Sequence, residues 1–173
     1  LQKTQGDTTL FVTHDQIEAL TMADRIAVLD KGRIVQVGTP EDIYDRPVTT
    51  FVATLVGTPR INLMSAQRND GTLHIEHSEL NLSPAMTVKT AAALVVGVRP
   101  EDVVIAADGD FPGEIVLTEP LGVETIVHVR NGGQTLASLY PGISNHRVGD
   151  NVRFNILPNR VHLFEMSGNR VPA

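Results

Sequence analysis

Apolar and polar residues alternate with two different periods along this chain, and the change falls near residue 60. Upstream of it, Thr8-Thr9-Leu10-Phe11-Val12-Thr13 is a β-branched and aromatic run with the composition of a buried strand. It stops at the polar triplet His14-Asp15-Gln16. Ile17, Leu20, Ala23 and Ile26 then recur at helical intervals. Asp15 can cap that helix, and Glu18 stands three residues on, at capping-box spacing. The pattern predicts His14 at the carboxyl end of a strand, immediately before a helix. In open α/β sheets, ligands bind in the crevice outside that strand end. Two further strands, Arg25 to Asp30 and Arg33 to Gly38, flank a Lys31-Gly32 turn.

Thr39-Pro40-Glu41-Asp42 then starts a short helix: a capping hydroxyl, a proline at the first helical position and two carboxylates at the positive end of the dipole. Pro47 stops it. Val48 to Val56 reads as another helix, with Phe51, Val52 and Leu55 inward and Gly57 at its carboxyl cap. Gly57-Thr58-Pro59-Arg60 is a break, which divides the chain into domains 1–59 and 60–173.

From Ile61 the period is two. Strands are predicted at Asn62 to Gln67, Thr72 to His77, Ala93 to Arg99, Val103 to Ala106, Gly113 to Glu119, Glu124 to Arg130, Gln134 to Tyr140, Asn151 to Ile156 and Arg160 to Glu165. Asn69-Asp70-Gly71, Asp108-Gly109-Asp110, Asn131-Gly132-Gly133 and Pro158-Asn159 separate them as turns. Short strands at this spacing, with no long helix to act as a crossover, predict a small all-β barrel or sandwich.

Charge and composition narrow the chemistry. The net charge is −6, and both halves are acidic, so a nucleic-acid backbone is a poor partner. Aromatic residues are 4% and Trp is absent, which also argues against base stacking on a barrel face. The absence of Cys excludes disulfides and a thiolate site. No apolar run approaches the ~20 residues of a membrane helix, so direct membrane insertion is not expected.

Two sets of strings resemble a known family. Val12-Thr13-His14-Asp15-Gln16, Glu18-Ala19, Ala23-Asp24-Arg25-Ile26, Leu29-Asp30, Gly32-Arg33-Ile34 and Gln36-Val37-Gly38-Thr39-Pro40 resemble the switch-histidine region of ABC-transporter ATPases, in the maltose-type sugar-importer branch. Val96-Gly97-Val98-Arg99-Pro100-Glu101-Asp102-Val103, Leu121-Gly122-Val123-Glu124-Thr125, Val148-Gly149-Asp150-Asn151-Val152 and Val161-His162-Leu163-Phe164 resemble the transport-associated OB-type regulatory domain that follows that ATPase. The resemblance implies a fold with an α/β remnant of an ABC ATPase core (its last strands and helices), followed by an all-β OB-like barrel regulatory domain. It implies that His14 contacts the γ-phosphate of ATP and helps order the attacking water. That makes His14 both the catalytic and the nucleotide-binding candidate. Phosphoryl transfer is mainly positioning and electrostatic stabilisation, which an imidazole donor can serve.

For the intact protein, the resemblance implies an ATP- and Mg2+-dependent energy-coupling subunit on the cytoplasmic face of the cell membrane. It would drive import of sugars, polyols or glycerol-phosphate-like solutes through transmembrane permease subunits. It would act as a homodimer through its ATPase and regulatory domains. The G-x-x-x-x-G-K-[ST] cradle, the signature segment and the general base are all missing from these residues. The chain therefore reads as a carboxyl-terminal fragment, expected to hold no cofactor and to hydrolyse no ATP alone. Leu1-Gln2-Lys3 reads as a helix tail stopped at Gly6. The alternative is a regulatory or dimerisation module that binds a small ligand or a protein without ATP. An unrelated hydrolase using His14 with Asp15 lacks a nucleophile at a recognisable elbow.

Other candidates have duller readings. Gln16 could face the nucleotide, a neighbouring subunit or solvent. His74 and His77 point to opposite faces of a strand, and His74 with Glu76 makes only two ligands, so no metal site is expected. Arg99-Pro100-Glu101-Asp102 is either a ligand or subunit contact or a turn with a local ion pair. Asp108-Gly109-Asp110 lacks the remaining ligands of a calcium loop.

Overall fold

The computed structural model describes residues 8–83 and 93–172. The expected helix tail at Leu1-Gln2-Lys3 and its stop at Gly6 lie outside the described residues.

A small helical layer comes first. Helix α1 (Gln16–Met22) leads into a hairpin of β1 (Ile26–Asp30) and β2 (Arg33–Gly38). Helices α2 (Pro40–Asp45) and α3 (Thr50–Leu55) follow. Thr39 and Asp42 form the full capping box of α2, with Pro40 in its first turn. Val28, Ile43, Val52 and Val56 are buried together, with Leu20, Ile26, Val35 and Tyr44 packed around them. This is where the apolar sides of α1, β1, β2, α2 and α3 meet.

The rest of the chain is two antiparallel five-stranded sheets. One holds β3 (Asn62–Asn69), β4 (Thr72–Ile75), β5 (Asn81–Leu82), β6 (Ala93–Val98) and β12 (His162–Glu165). The other, termed the first sheet, holds β7 (Val103–Ile105), β8 (Phe111–Pro120), β9 (Glu124–Asn131), β10 (Gln134–Pro141) and β11 (Asn151–Ile156). The first sheet orders β10-β9-β8-β11-β7 and the second β12-β6-β3-β4-β5. The edge strands of the first sheet meet, with the Ser138 hydroxyl donating to the Val103 carbonyl at 2.6 Å. That brings the sheet nearly to closure as a barrel. Asn62 ties the second sheet onto it: its side chain donates to Val98 O and Ala137 O and accepts from Ala137 N. Inward residues of both sheets form one core that includes Leu73, Leu94, Val96, Ile115, Leu136 and Phe154. Gly113 is required by this packing, because a Cβ there would stand 2.2 Å from Val129 Cγ1.

The architecture is thus mostly β, with an OB-like barrel, and the α/β part is slight. Most predicted strands form within two residues of their expected ends. Four expectations are corrected, and one strand is new. Thr8 to Thr13 is not a buried strand: it has no strand assignment and pairs with none among the described residues, and Leu10, Phe11 and Val12 are exposed. A strand needs neighbours to satisfy its backbone groups, and no described strand lies beside this one. The helix predicted over Val48 to Val56 is shorter, because Thr49 caps it by accepting from Val52 N. Phe51 and Leu55 face outward, while Val52 and Ala53 are buried. The strand at Thr72 ends at Ile75, and His77 turns the chain at φ 59°. Last, the two-residue β5 was not anticipated.

Candidate functional site

His14 sits in the turn that leads into α1. Asp15 caps that helix, accepting from Ile17 N at 2.8 Å and Glu18 N at 3.2 Å. The expected reciprocal half of the capping box does not form. Glu18 instead accepts from the Thr13 hydroxyl at 2.8 Å, and that hydroxyl accepts from Asp15 N at 2.9 Å. Thr13, Asp15 and Glu18 therefore bracket His14 on both sides. The imidazole is exposed on a cleft of about 580 Å³ that Gln16, Phe51, Leu55, Thr58 and Arg60 also line. The strand expected to precede His14 is absent from the described residues, so this local bracket holds the turn in its place.

Gln16 has a definite partner. Its Nε2 donates to Thr58 Oγ1 at 2.7 Å, and its Oε1 accepts from Gly57 N at 2.6 Å. Both partners belong to the break at Gly57-Thr58-Pro59. Gly57 has φ +102°, a conformation that favours glycine, and a Cβ there would stand 2.9 Å from Arg99 Nη1.

Arg99 is the largest fully buried side chain among the described residues and projects from the end of β6 into the helical layer. Its Nη1 donates to Ala53 O at 3.0 Å and Val56 O at 2.6 Å, and its Nη2 to Tyr44 O at 2.9 Å. The guanidinium lies 4.0 Å above the Tyr44 ring. It thus supplies donors to carbonyls at the end of α3 that no intrahelical amide reaches. Burial pulls the Arg99 pKa below its ordinary value. Burial and a hydrogen bond to Glu101 push the Tyr44 hydroxyl well above its own.

Arg99-Pro100-Glu101-Asp102 therefore joins the barrel to the helical layer, with Arg99 on the carbonyls and Glu101 accepting from the Tyr44 hydroxyl. Arg160 joins Asp102 to Asp45, at 3.3 Å from each, and so adds a second link between the two layers. Burial raises the Asp102 pKa, and Arg160 partly opposes the rise. His162 is buried nearby, with its Nδ1 3.4 Å from Arg170 Nη1, and desolvation lowers its pKa to about 4.

The remaining candidates are placed apart from this site. His74 Nδ1 is 2.6 Å from Asn81 Oδ1 across the β4–β5 pair, and Glu76 accepts from Gln67. Arg153 donates to the carbonyls of Gly109 and Asp110, which makes the Asp108–Asp110 segment a fixed turn. Sequence reasoning singled out His14 but missed the Gln16 tether and the Arg99 clamp. Both span more than 40 residues, and no local pattern signals them.

The barrel is of OB type, and comparison with known proteins agrees with that fold. Residues 96–164 match the TOBE domain. The cytoplasmic molybdate-binding protein ModG superposes with a TM-score of 0.52 at 14% identity, over 60% of this chain and 95% of that one. That likeness concerns the fold.

Relatives extend the match upstream. The chain is 39% identical to the sn-glycerol-3-phosphate import ATP-binding protein UgpC 3 of Agrobacterium fabrum, over 99% of this chain and 49% of that protein. It is 38% identical to the xylose/arabinose import ATP-binding protein XacK of Haloferax volcanii, over 95% of this chain and 46% of that protein. It is 37% identical to the trehalose/maltose import ATP-binding protein MalK of Thermococcus litoralis, over 95% and 48%. The chain carries a TOBE domain and is homologous, over nearly its whole length, to the carboxyl-terminal region of sugar-import ABC ATP-binding subunits. It spans about half the length of the curated relatives it matches.

Proposed function

We propose that these residues form the carboxyl-terminal part of an ABC importer's ATP-hydrolysing subunit, in which His14 is the γ-phosphate switch. The observation that carries this reading is the homology to import ATP-binding proteins, which covers 99% of this chain and so runs through the His14 segment as well as the barrel. The placement of His14 supports it. The imidazole is exposed on a cleft, at a turn held by the Thr13, Asp15 and Glu18 bracket. There it can donate to a phosphate oxygen and orient a water. These residues supply no phosphate cradle, so nucleotide and Mg2+ would be held by other parts of the full-length protein. The 173 residues alone would neither retain ATP nor turn it over.

The same reading implies transmembrane permeases as partners, pairing of two copies, and a position on the cytoplasmic face of the membrane. Among the described residues, no helix is long and apolar enough to cross a membrane. The solute class is a sugar, a polyol or a glycerol-phosphate-like compound, by analogy with the relatives.

The test is ATP turnover by the full-length protein reconstituted with its permease. His14→Ala should lower kcat at least a hundredfold and leave the Kd for ATP within a few-fold. An unchanged kcat would remove His14 from the reaction. Measurable turnover by residues 1–173 alone would overturn the division of labour. If the full-length protein binds no ATP, the barrel acts instead as a nucleotide-independent binding or dimerisation module.

A further inference from the structure

The Val56–Gly57 peptide unit is gripped from both sides. Its carbonyl accepts from Arg99 Nη1, which comes from the barrel, at 2.6 Å. Its N–H donates to Gln16 Oε1, which comes from the His14 turn, at 2.6 Å. The other end of the Gln16 amide holds Thr58 Oγ1 at 2.7 Å, so Gln16 spans two successive residues of the break. Neither grip moves freely. Arg99 is buried and also bound to Ala53 O and Tyr44 O. Gln16 lies in the first turn of α1, two residues beyond His14, and Asp15 between them is fixed by its own cap bonds. A rotation of this one peptide would break both bonds together.

From this juxtaposition we infer that Gln16 is a positioning residue, through which the Gly57–Thr58 break and the barrel behind it set where His14 stands. The inference rests on the γ-phosphate reading of His14 and adds a route by which the barrel governs it. A displacement of the barrel that pulls Arg99 would turn the Val56–Gly57 peptide, release Gln16, and free the His14 turn. Gln16 touches the break, not the reacting atoms. Its loss should therefore act on turnover rather than on nucleotide affinity.

The experiment uses the full-length protein with its permease and compares Gln16→Ala, Thr58→Val and the double variant. Thr58→Val should lower kcat about tenfold, the scale of one lost hydrogen bond, and Gln16→Ala, which loses two, by at least as much, each with KM for ATP within about twofold. The double variant should be no worse than Gln16→Ala, because both changes cut the same link. Gln16→Glu, which keeps the acceptor for Gly57 N–H, should recover part of the rate. Amide hydrogen exchange at Gly57 should accelerate in Gln16→Ala.

A kcat in Gln16→Glu as low as in Gln16→Ala would overturn the inference, since the acceptor for Gly57 N–H would then not matter. Unchanged exchange at Gly57 in Gln16→Ala would overturn it as well. His14→Ala separates the two readings. If that variant keeps full kcat, the γ-phosphate role fails, whereas faster exchange at Gly57 in Gln16→Ala still supports the tether.

Discussion

Replacing Arg99 by methionine removes the main polar link between the helical layer and the barrel and leaves the volume almost filled. Three carbonyls, Ala53 O, Val56 O and Tyr44 O, lose their shared donor. Hydrogen bonds to a charged group contribute about 1.5–3 kcal/mol each, so the gross loss is at least about 4.5 kcal/mol. Against this, the guanidinium is a buried charge whose direct partners are carbonyls and an aromatic face rather than a carboxylate. Removing it restores several kcal/mol of desolvation, about 3. With the gross loss at about 6 kcal/mol, inside the range of three such bonds, the net destabilisation is about 3 kcal/mol. For a chain of this length each kcal/mol moves Tm by about 2–4 °C, which predicts a fall of about 6–12 °C for Arg99→Met. Arg99→Lys keeps the charge but not the planar fork that reaches three acceptors, and should fall about two-thirds as far. Thermal unfolding followed by far-UV circular dichroism reads both. If Arg99→Met melts within 3 °C of the wild type, the carbonyls find other donors and the clamp is not what joins the layers.

Two further outcomes follow from the same region. Gly57→Ala places a methyl 2.9 Å from Arg99 Nη1 at φ +102°, and should cost about 2 kcal/mol; a Tm within 2 °C of the wild type would refute the close approach. His162 has a folded pKa of about 4 against 6.5 unfolded, because burial and then Arg170, Arg99 and Arg160 disfavour the imidazolium and only Asp45 favours it. The folded state therefore binds fewer protons between those values, so this contribution is fully present above pH 6.5 and is lost as pH falls toward 4. The loss is up to about 3 kcal/mol. Asp102, whose pKa is raised by burial, works in the opposite direction on the acid side. The measurement is therefore the difference between wild type and His162→Gln in urea unfolding at pH 7 and pH 4.5. A difference that does not change with pH would show that His162 does not titrate on unfolding.

The barrel was legible because its strands alternate and its turns carry Asn, Asp and Gly where the chain reverses, as at Asn69-Asp70-Gly71 and Asn131-Gly132-Gly133. The capping box at Thr39 and Asp42 was legible for the same reason: its signal is local. Thr8 to Thr13 misled because composition reports what a strand is made of and not whether a neighbour exists to pair with it. The outward turn of Phe51 and Leu55 was hidden because a six-residue helix shows too few repeats to define its buried side. The start of α1 was legible because Asp15, its cap, is a local signal. Gln16 and Arg99 were not, since each works through backbone atoms about 40 residues away, and a backbone acceptor leaves no mark on residue identity.

The near-closure of the first sheet also bears on solubility. A sheet with a long open edge offers unpaired amides on which another chain can add a strand and start aggregation. Here Ser138 brings β10 against β7, which leaves little edge in the first sheet. The second sheet ends on one side in the two-residue β5. On the other side, β12 is folded against its own following segment, with Glu165 N–H donating to Asn169 O and Val171 N–H donating to Leu163 O. The uncharged, β-prone run that stays uncovered among the described residues is Thr8 to Thr13, outside the barrel. The two sheets are thus built to resist fibril-like association, and the segment just before His14 is where it would begin.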